Sequence, residues 1–371
     1  AAAAIAPLAG AAPGLVLVFG TAGYDQAQLL AGVREVTGGA PMAGCSAAGV
    51  ITQAGSDEGS RVVAVMALAS DRIQFDTLVA AEVSADPEGR GASLARHLAA
   101  LGRQRPRQLL LFTDGITVNA TALIRGLEGE LEAPIRMAGG SAGELHRFER
   151  TYQYHDGEVY SDAAVAVLLS GDLTCEALVT HGSEPIGVEH AITRAEGGTV
   201  YEIDGRPAWQ VLREYLDDSS GGLEATNVSA LCVAQRAPDG DLLIRVPVGL
   251  DPDSGAMFFA GELLAGQRVI MVRRDTDHVS ENAIAAARRL ASTRGEKPAL
   301  VLQFDCVGRG RLLFGEQVGE KVIDPVQQAI GKDVPWLGMH SYGEIGQRGE
   351  RACFHNYTMV LLALYDGDGA A

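Results

Sequence analysis

The chain lacks the marks of several large protein classes. No two of its five cysteines (Cys45, Cys175, Cys232, Cys306 and Cys353) form a C-x-x-C pair. An odd number of thiols in a long chain argues for a reducing compartment and against a disulfide framework or a zinc site. There is no basic face either. The formal net charge is -17, and the densest basic stretches are Arg103-Gln104-Arg105-Pro106-Arg107 and Arg273-Arg274. Phosphate binding needs such a face, so nucleic acid is excluded as a partner and anionic membranes are disfavoured. No P-loop, G-x-S-x-G, kinase set, helix-turn-helix, H-E-x-x-H or C-x-x-C-H occurs, and Gly308-Arg309-Gly310 is too short for a dinucleotide fingerprint. The apolar start from Ala1 to Phe19 has no basic head and is interrupted by Pro7, Gly10, Pro13 and Gly14. It reads as neither signal peptide nor spanning helix, and a cytoplasmic location is expected.

What remains is a globular composition. The 371 residues are 47% hydrophobic and 21% charged, enough for two α/β domains or one built by duplication. The expected division is a loose arm over 1–13, a first domain over 14–175 and a second over 176–371. A diverged unit recurs three times as apolar strand, helix, Gly-rich turn and apolar strand. The first copy has a strand at 15–19, a helix at 24–36, the turn Gly44-Cys45-Ser46-Ala47-Ala48-Gly49-Val50-Ile51 and a closing strand at 61–69. The second has a strand at 108–113, a helix at 119–132, the turn Gly139-Gly140-Ser141-Ala142-Gly143-Glu144-Leu145 and a strand at 163–170. The third has a strand at 299–305, a helix at 319–330, the turn Gly338-Met339-His340-Ser341-Tyr342-Gly343-Glu344-Ile345 and a strand at 358–365. A longer echo aligns 71–114 with 266–306 and makes Asp114 and Cys306 equivalent strand ends. The pattern predicts an α/β fold of internally duplicated strand-helix units forming helix-covered sheets. The region 172–262 is richer in strands, with a turn at Asp204-Gly205, a helix over 207–216 and a loop at 219–222.

The turns are the first candidates for chemistry. Their glycines permit left-handed backbone or close approach of a ligand. Exposed amides after a strand end suit a small anion. Gly44, Gly140 and Gly338, with Ser46, Ser141 and Ser341, are therefore candidate ligand contacts if the turns converge; tight turns of a repeat are the alternative. Glu144 and Glu344 occupy matching positions, with Val50 in the first copy, and either carboxylate can hold an amine or cap amides. Cys45 lies among turn amides that lower a thiol pKa, and Cys306 stands three residues before Arg309. Both thiols are equally readable as small buried hydrophobes. His340, His181 and His355 are candidate haem ligands, although a lone histidine is commonly structural.

Several segments resemble the FIST family of intracellular signalling proteins. They are the Gly44 to Ile51 turn, Glu202-Ile203-Asp204-Gly205-Arg206-Pro207-Ala208, the spacing Cys306 to Arg309, Ser341 to Gly346, and His355-Asn356-Tyr357-Thr358. They occur in the family's order over nearly the whole chain. The resemblance implies paired FIST-N and FIST-C halves, and a sensor rather than an enzyme. It would bind a small molecule, such as an amino acid, between the halves. It would report by contact to a histidine kinase, a cyclic-dinucleotide enzyme or a chemotaxis protein, with homo-oligomers open. The resemblance adds Asn356 to the ligand-binding candidates, with Asp114 from the strand-end alignment. A subset of the family resembles haem-binding nitric-oxide sensors, and the histidines at 340 and 181 point towards it. A Cys-dependent enzyme is the remaining alternative.

Overall fold

The computed structural model describes residues 1–216, 232–236 and 240–366. The chain forms two compact units. One comprises Ala1–Thr180, Ala283–Phe354 and the chain from Met359 on; the other comprises His181–Asn282 and His355–Thr358. The loop expected at 219–222 lies outside the described residues. No helix among the described residues is long and apolar enough to cross a membrane.

The first unit holds all three copies. Residues 1–13, expected as a loose arm, contain a short helix at Ala2–Ile5 and a 3-10 turn at Ala6–Leu8. Copy one then supplies β1 (Leu15–Thr21), β2 (Met42–Ala47), β3 (Gly49–Thr52), β4 (Gly55–Asp57) and β5 (Val63–Leu68). Its crossover helix Gln26–Thr37 starts at Asp25, whose side chain accepts the Gln28 amide. After β6 (Ile73–Ala81) and the helix Pro87–Ala100, copy two supplies β7 (Pro106–Thr113), β8 (Arg136–Ser141), β9 (Gln153–His155), β10 (Glu158–Tyr160) and β11 (Ala163–Gly171). Its crossover helix, Ala120–Glu130, is capped by Asn119. β12 (Leu173–Thr180) closes this part of the chain.

The second unit carries β13 (Ser183–Glu196), β14 (Thr199–Ile203), β15 (Arg206–Pro207), β16 (Val233–Arg236), β17 (Leu242–Arg245), β18 (Pro247–Leu250), β19 (Met257–Phe259) and β20 (Arg268–Arg274). They form one antiparallel sheet ordered β17-β16-β20-β13-β14-β19-β18, with β15 on β14. Its core includes Ile192, Val200, Ile203, Val211, Met257 and Met271. Asp204 and Gly205 both have positive φ, +51° and +73°, between the paired residues Ile203 and Arg206. This is the Asp-Gly pair that a two-residue hairpin favours. The helix expected over 207–216 is Ala208–Leu212, continued by a 3-10 turn at Arg213–Tyr215.

Copy three returns to the first unit with β21 (Leu300–Cys306), β22 (Trp336–Ser341), β23 (Glu344–Arg348), β24 (Arg351–His355) and β25 (Met359–Asp366). The crossover is a π turn at Gly319–Ile323 followed by the helix Asp324–Ile330.

In every copy the first strand pairs parallel with the turn strand and antiparallel with the closing strand: β1 with β2 and β5, β7 with β8 and β11, β21 with β22 and β25. Each copy then hands its hairpin to a neighbour. β3 and β4 of copy one extend the sheet of copy three, giving β12-β25-β21-β22-β3-β4. β23 and β24 of copy three extend copy two, giving β24-β23-β8-β7-β11-β6. β9 and β10 of copy two extend copy one, giving β10-β9-β2-β1-β5. The exchange is cyclic, so the unit has an internal pseudo-threefold. On its axis Phe19, Phe112 and Phe304, one from each first strand, pack with ring centroids 5.4, 6.3 and 6.0 Å apart. All three rings are fully buried, each worth roughly 1.5–3 kcal/mol of transfer free energy.

The longer echo is corrected in one respect. β6 borders the copy-two sheet through β11, but β20 belongs to the sheet of the second unit. The place equivalent to β6 in the copy-three sheet is taken by β12, paired with β25.

Candidate functional site

The turn glycines have a clear physical reason. Gly44 and Gly139 adopt φ near +153° and +154°. A Cβ there would lie 1.9 Å from the Val18 carbonyl oxygen and 2.0 Å from that of Leu111; at Gly338 it would lie 2.3 Å from the Gln303 carbonyl oxygen. Val18, Leu111 and Gln303 are the parallel-strand partners of these glycines. Of the two readings of the turn glycines, close approach therefore applies, but to the neighbouring strand rather than to a ligand.

The three turns meet within the first unit. The Gly143 amide donates to the Ser46 carbonyl at 3.0 Å, and the Ala48 amide donates to the His340 carbonyl at 3.0 Å. The Ser141 amide donates to the Gly343 carbonyl at 2.8 Å, and the Tyr342 amide to the Ser141 carbonyl at 3.0 Å. The Ser46 hydroxyl donates to the Gly143 carbonyl at 2.8 Å and accepts the Tyr152 amide at 2.9 Å. The Ser141 and Thr113 hydroxyls lie 2.6 Å apart. Turns one, two and three thus form a closed ring of hydrogen bonds.

Register changes one equivalence read from sequence. Val50 pairs with Met339 and Glu344 with Gly140, each partner directly following a turn glycine. The copy-two residue in that position is Gln153, opposite Cys45, and not Glu144. The stretch 144–152 is an insertion that delays the hairpin. Glu144 accepts from the Tyr342 hydroxyl and the Phe148 amide, both at 2.7 Å, and so fastens that insertion to turn three. Burial, together with the Glu144 hydrogen bond, pushes the Tyr342 phenol up, so its hydroxyl stays a donor.

Copy three carries a buried ion pair. Arg309 and Asp305 form a fully buried ion pair, Nε to Oδ1 at 2.8 Å. Gln303 donates to Asp305 at 3.0 Å and accepts from the Trp336 indole at 3.1 Å. The Ser341 hydroxyl donates to Glu344 at 2.8 Å, and both residues are buried. His340 is fully buried, with Nε2 2.7 Å from the Ser56 hydroxyl and 3.7 Å from Glu58. Sequence reading missed Ser56, Glu58, Gln153 and Asp305. Only hairpin exchange brings the first three to their partners, and nothing local marks them. Asp305 immediately precedes Cys306, and its position after the axial Phe304 was the available signal.

Other candidates have structural work. The Asp114 carboxylate accepts the Ile116 and Thr117 amides at 2.9 Å and the Asp162 amide at 3.2 Å. Cys45 is fully buried with Sγ 3.4 Å from Met339 Sδ. Burial, and second the Asp114 charge, raise its thiol well above the usual value, so the expected lowering by turn amides is overturned by desolvation. Cys306 is buried at the end of β21, and the guanidinium expected to activate it is engaged by Asp305. Asn356 belongs to the second unit, where its Oδ1 accepts the Val246 amide at 3.4 Å. His181 and His355 are also in the second unit. The His181 Nδ1 accepts the Ser183 amide at 2.8 Å. At His340, Nε2 is engaged by Ser56 while Nδ1 is buried without a hydrogen-bond partner among the described residues. Among the described residues no cluster of His, Cys, Asp or Glu has a metal-binding arrangement.

Comparison with known proteins places this geometry. The FIST N domain model matches residues 14–206, and the FIST C domain model matches 208–347. An uncharacterized protein of Mycobacterium bovis is 26% identical over 371 residues, covering 97% of this chain and 92% of that protein. One of Mycobacterium tuberculosis is 28% identical over 369 residues, covering 97% and 93%. One of Methanocaldococcus jannaschii is 30% identical over 183 residues, 47% of this chain and 35% of that protein. Among solved structures, a chorismatase aligns over 96% of this chain and 94% of its own, at 12% identity and a TM-score of 0.35. With both domain models matched in order over most of its length, the chain belongs to the FIST family of sensory, ligand-binding signal-transduction domains.

Proposed function

We propose that the protein is a small-molecule sensor whose ligand is recognised in the first unit, at the ring of three turns and the copy-three polar cluster beside it. The observation that carries this reading is the juxtaposition of the buried Arg309–Asp305 and Ser341–Glu344 pairs with that ring. One guanidinium, two carboxylates and a hydroxyl make a donor set for a zwitterion such as an amino acid. A ligand carboxylate would compete with Asp305 for Arg309, and a ligand amine would pair with Glu344. A buried pair is strongly destabilised when only one partner is removed, so exchange of partners is a large energetic event and a suitable trigger. The response passes by contact to a signalling protein such as a histidine kinase, a cyclic-dinucleotide enzyme or a chemotaxis protein. FIST domains are sensory rather than catalytic, and the buried, protonated Cys45 agrees with that.

The test is a thermal-shift screen of the purified protein with the proteinogenic amino acids and related zwitterions. A hit should raise the unfolding midpoint saturably. Arg309→Lys and Glu344→Gln should each weaken the response about tenfold or more, the two variants guarding against a folding defect in either. Saturable stabilisation that neither variant alters would place the ligand elsewhere, and no hit at all would remove the zwitterion assignment.

A further inference from the structure

The insertion in copy two carries features that the ligand reading leaves unused. His146 to Arg150 are five consecutive exposed residues, and Phe148 leaves 60% of its surface to solvent. His146 and Phe148 both have left-handed backbone, φ +61° and +55°, which non-glycine residues disfavour. The loop is held there by a scaffold. The Glu144 carboxylate takes the Phe148 amide, the His146 amide donates to the Tyr342 hydroxyl at 3.1 Å, and the Phe148 ring stacks on Tyr342 with centroids 5.1 Å apart and planes 23° from parallel. A large apolar ring fixed outward by strained backbone is not a product of collapse.

Positive charge stands on both sides of this ring. Some arginines elsewhere pair with carboxylates, Arg90 with Glu82, Arg103 with Asp76, Arg125 with Glu88 and Arg311 with Glu316; others, such as Arg288 and Arg289, are exposed without such a pair among the described residues. Arg147 and Arg150 have no carboxylate partner among the described residues. Arg150 instead lies over the Tyr152 ring at 5.3 Å. A chain of net charge -17 thus presents, at one loop, two guanidinium groups without a carboxylate partner among the described residues on either side of an exposed aromatic ring. Arginine and aromatic residues are the types that concentrate binding energy at protein interfaces.

We propose that residues 146–152, with Tyr342 beneath them, form the docking surface for a partner protein that presents a short acidic segment bearing an aromatic or large aliphatic side chain. Carboxylates of that segment pair with Arg147 and Arg150, and its apolar side chain covers the open face of Phe148. A long polyanion suits the patch less, because Glu149 interrupts it and the rest of the chain repels negative charge. The surface is joined to the turn ring through Tyr342, whose amide donates to Ser141 while its hydroxyl holds the loop. The consequence for signalling rests on the sensor reading; the docking itself does not.

The experiment is fluorescence anisotropy on the full chain with a labelled peptide of alternating Glu and Phe, with Gln-for-Glu and Ala-for-Phe peptides as comparisons. The Glu-Phe peptide should bind saturably, and about tenfold more weakly to the Arg147→Ala/Arg150→Ala double variant, to Phe148→Ser, or when either peptide feature is removed. Raised salt should weaken binding to the parent more than to the double arginine variant. Unchanged unfolding midpoints of these surface variants show that the loss is local. Equal binding by parent and variants, or no binding, overturns the proposal. So does a patch that takes poly(A) in preference to the peptide. Glu344→Gln protein separates the two readings: retained peptide binding with an amino-acid response lost relative to the parent leaves both standing, whereas a parent that binds the peptide but responds to no zwitterion sinks the ligand reading alone.

Discussion

Turn one and turn three occupy equivalent places in the pseudo-threefold, yet their interiors differ in kind. Val50 and Cys45 line the first with apolar surface, packed in the same core as Phe19 and Met339. Glu344 stands in the Val50 position of the third, with a hydroxyl partner in Ser341, which also reaches the carbonyl of Asp305, the partner of Arg309. The backbone contacts that close the ring are made by amides and carbonyls, so they survive changes of side chain. Duplication has therefore kept the frame in all copies while the charge of their interiors diverged.

Exchanging the two side chains should break this contrast most visibly. Val50→Glu buries a carboxylate with no donor built for it and should lower unfolding free energy by about 3 kcal/mol or more. Glu344→Gln keeps a hydrogen-bond acceptor for Ser341 and should cost less, about 1–2 kcal/mol. Denaturant midpoints at unchanged slope would measure both; equal costs would mean that the two turns are not different environments.

The thiol of turn one gives a second, kinetic test. Burial holds Cys45 protonated well above neutral pH. Iodoacetamide at pH 8 should modify it at least about a hundredfold more slowly than a free thiol, and at an ordinary rate only after unfolding. Rapid native-state labelling of Cys45 would restore the idea of an activated thiol there.

The smallest effect concerns a carboxylate that serves a turn. Asp204 accepts the Ala191 amide at 2.8 Å, the larger cause, and is 2.6 Å from His190 Nδ1; together they hold its carboxyl below the usual range. A depressed folded-state value means that its contribution is full above the unfolded carboxylate value, about 3.9, and fades as pH falls through the folded one. Because the side chain is largely solvated, Asp204→Asn should cost at most about 1 kcal/mol at neutral pH and flatten the acid limb of the stability profile. A variant whose loss grows below pH 4 would contradict this sign.

Much of the frame was legible. Strands and crossover helices of the three copies lie within a few residues of their expected places, because each alternates apolar runs with glycine punctuation. Asp204-Gly205 was legible as a turn for the same local reason. The Glu144 equivalence failed because an insertion after turn two mimics the Ser-x-Gly-Glu pattern of turn three, while the hairpin it displaces begins at Gln153. The placement of Ser56 and Glu58 beside His340 was not legible at all. It depends on β3 pairing with β22, a strand far along the chain that no local pattern links to it.

The sequence alone therefore determined the repeat, the strand-helix order and the places where backbones must come close, since glycine, alternation and capping are local properties. Only the tertiary structure decided which copy receives which hairpin, and hence which polar side chains share an interior. Pairing between distant strands is fixed by register and core packing, which no short segment encodes by itself.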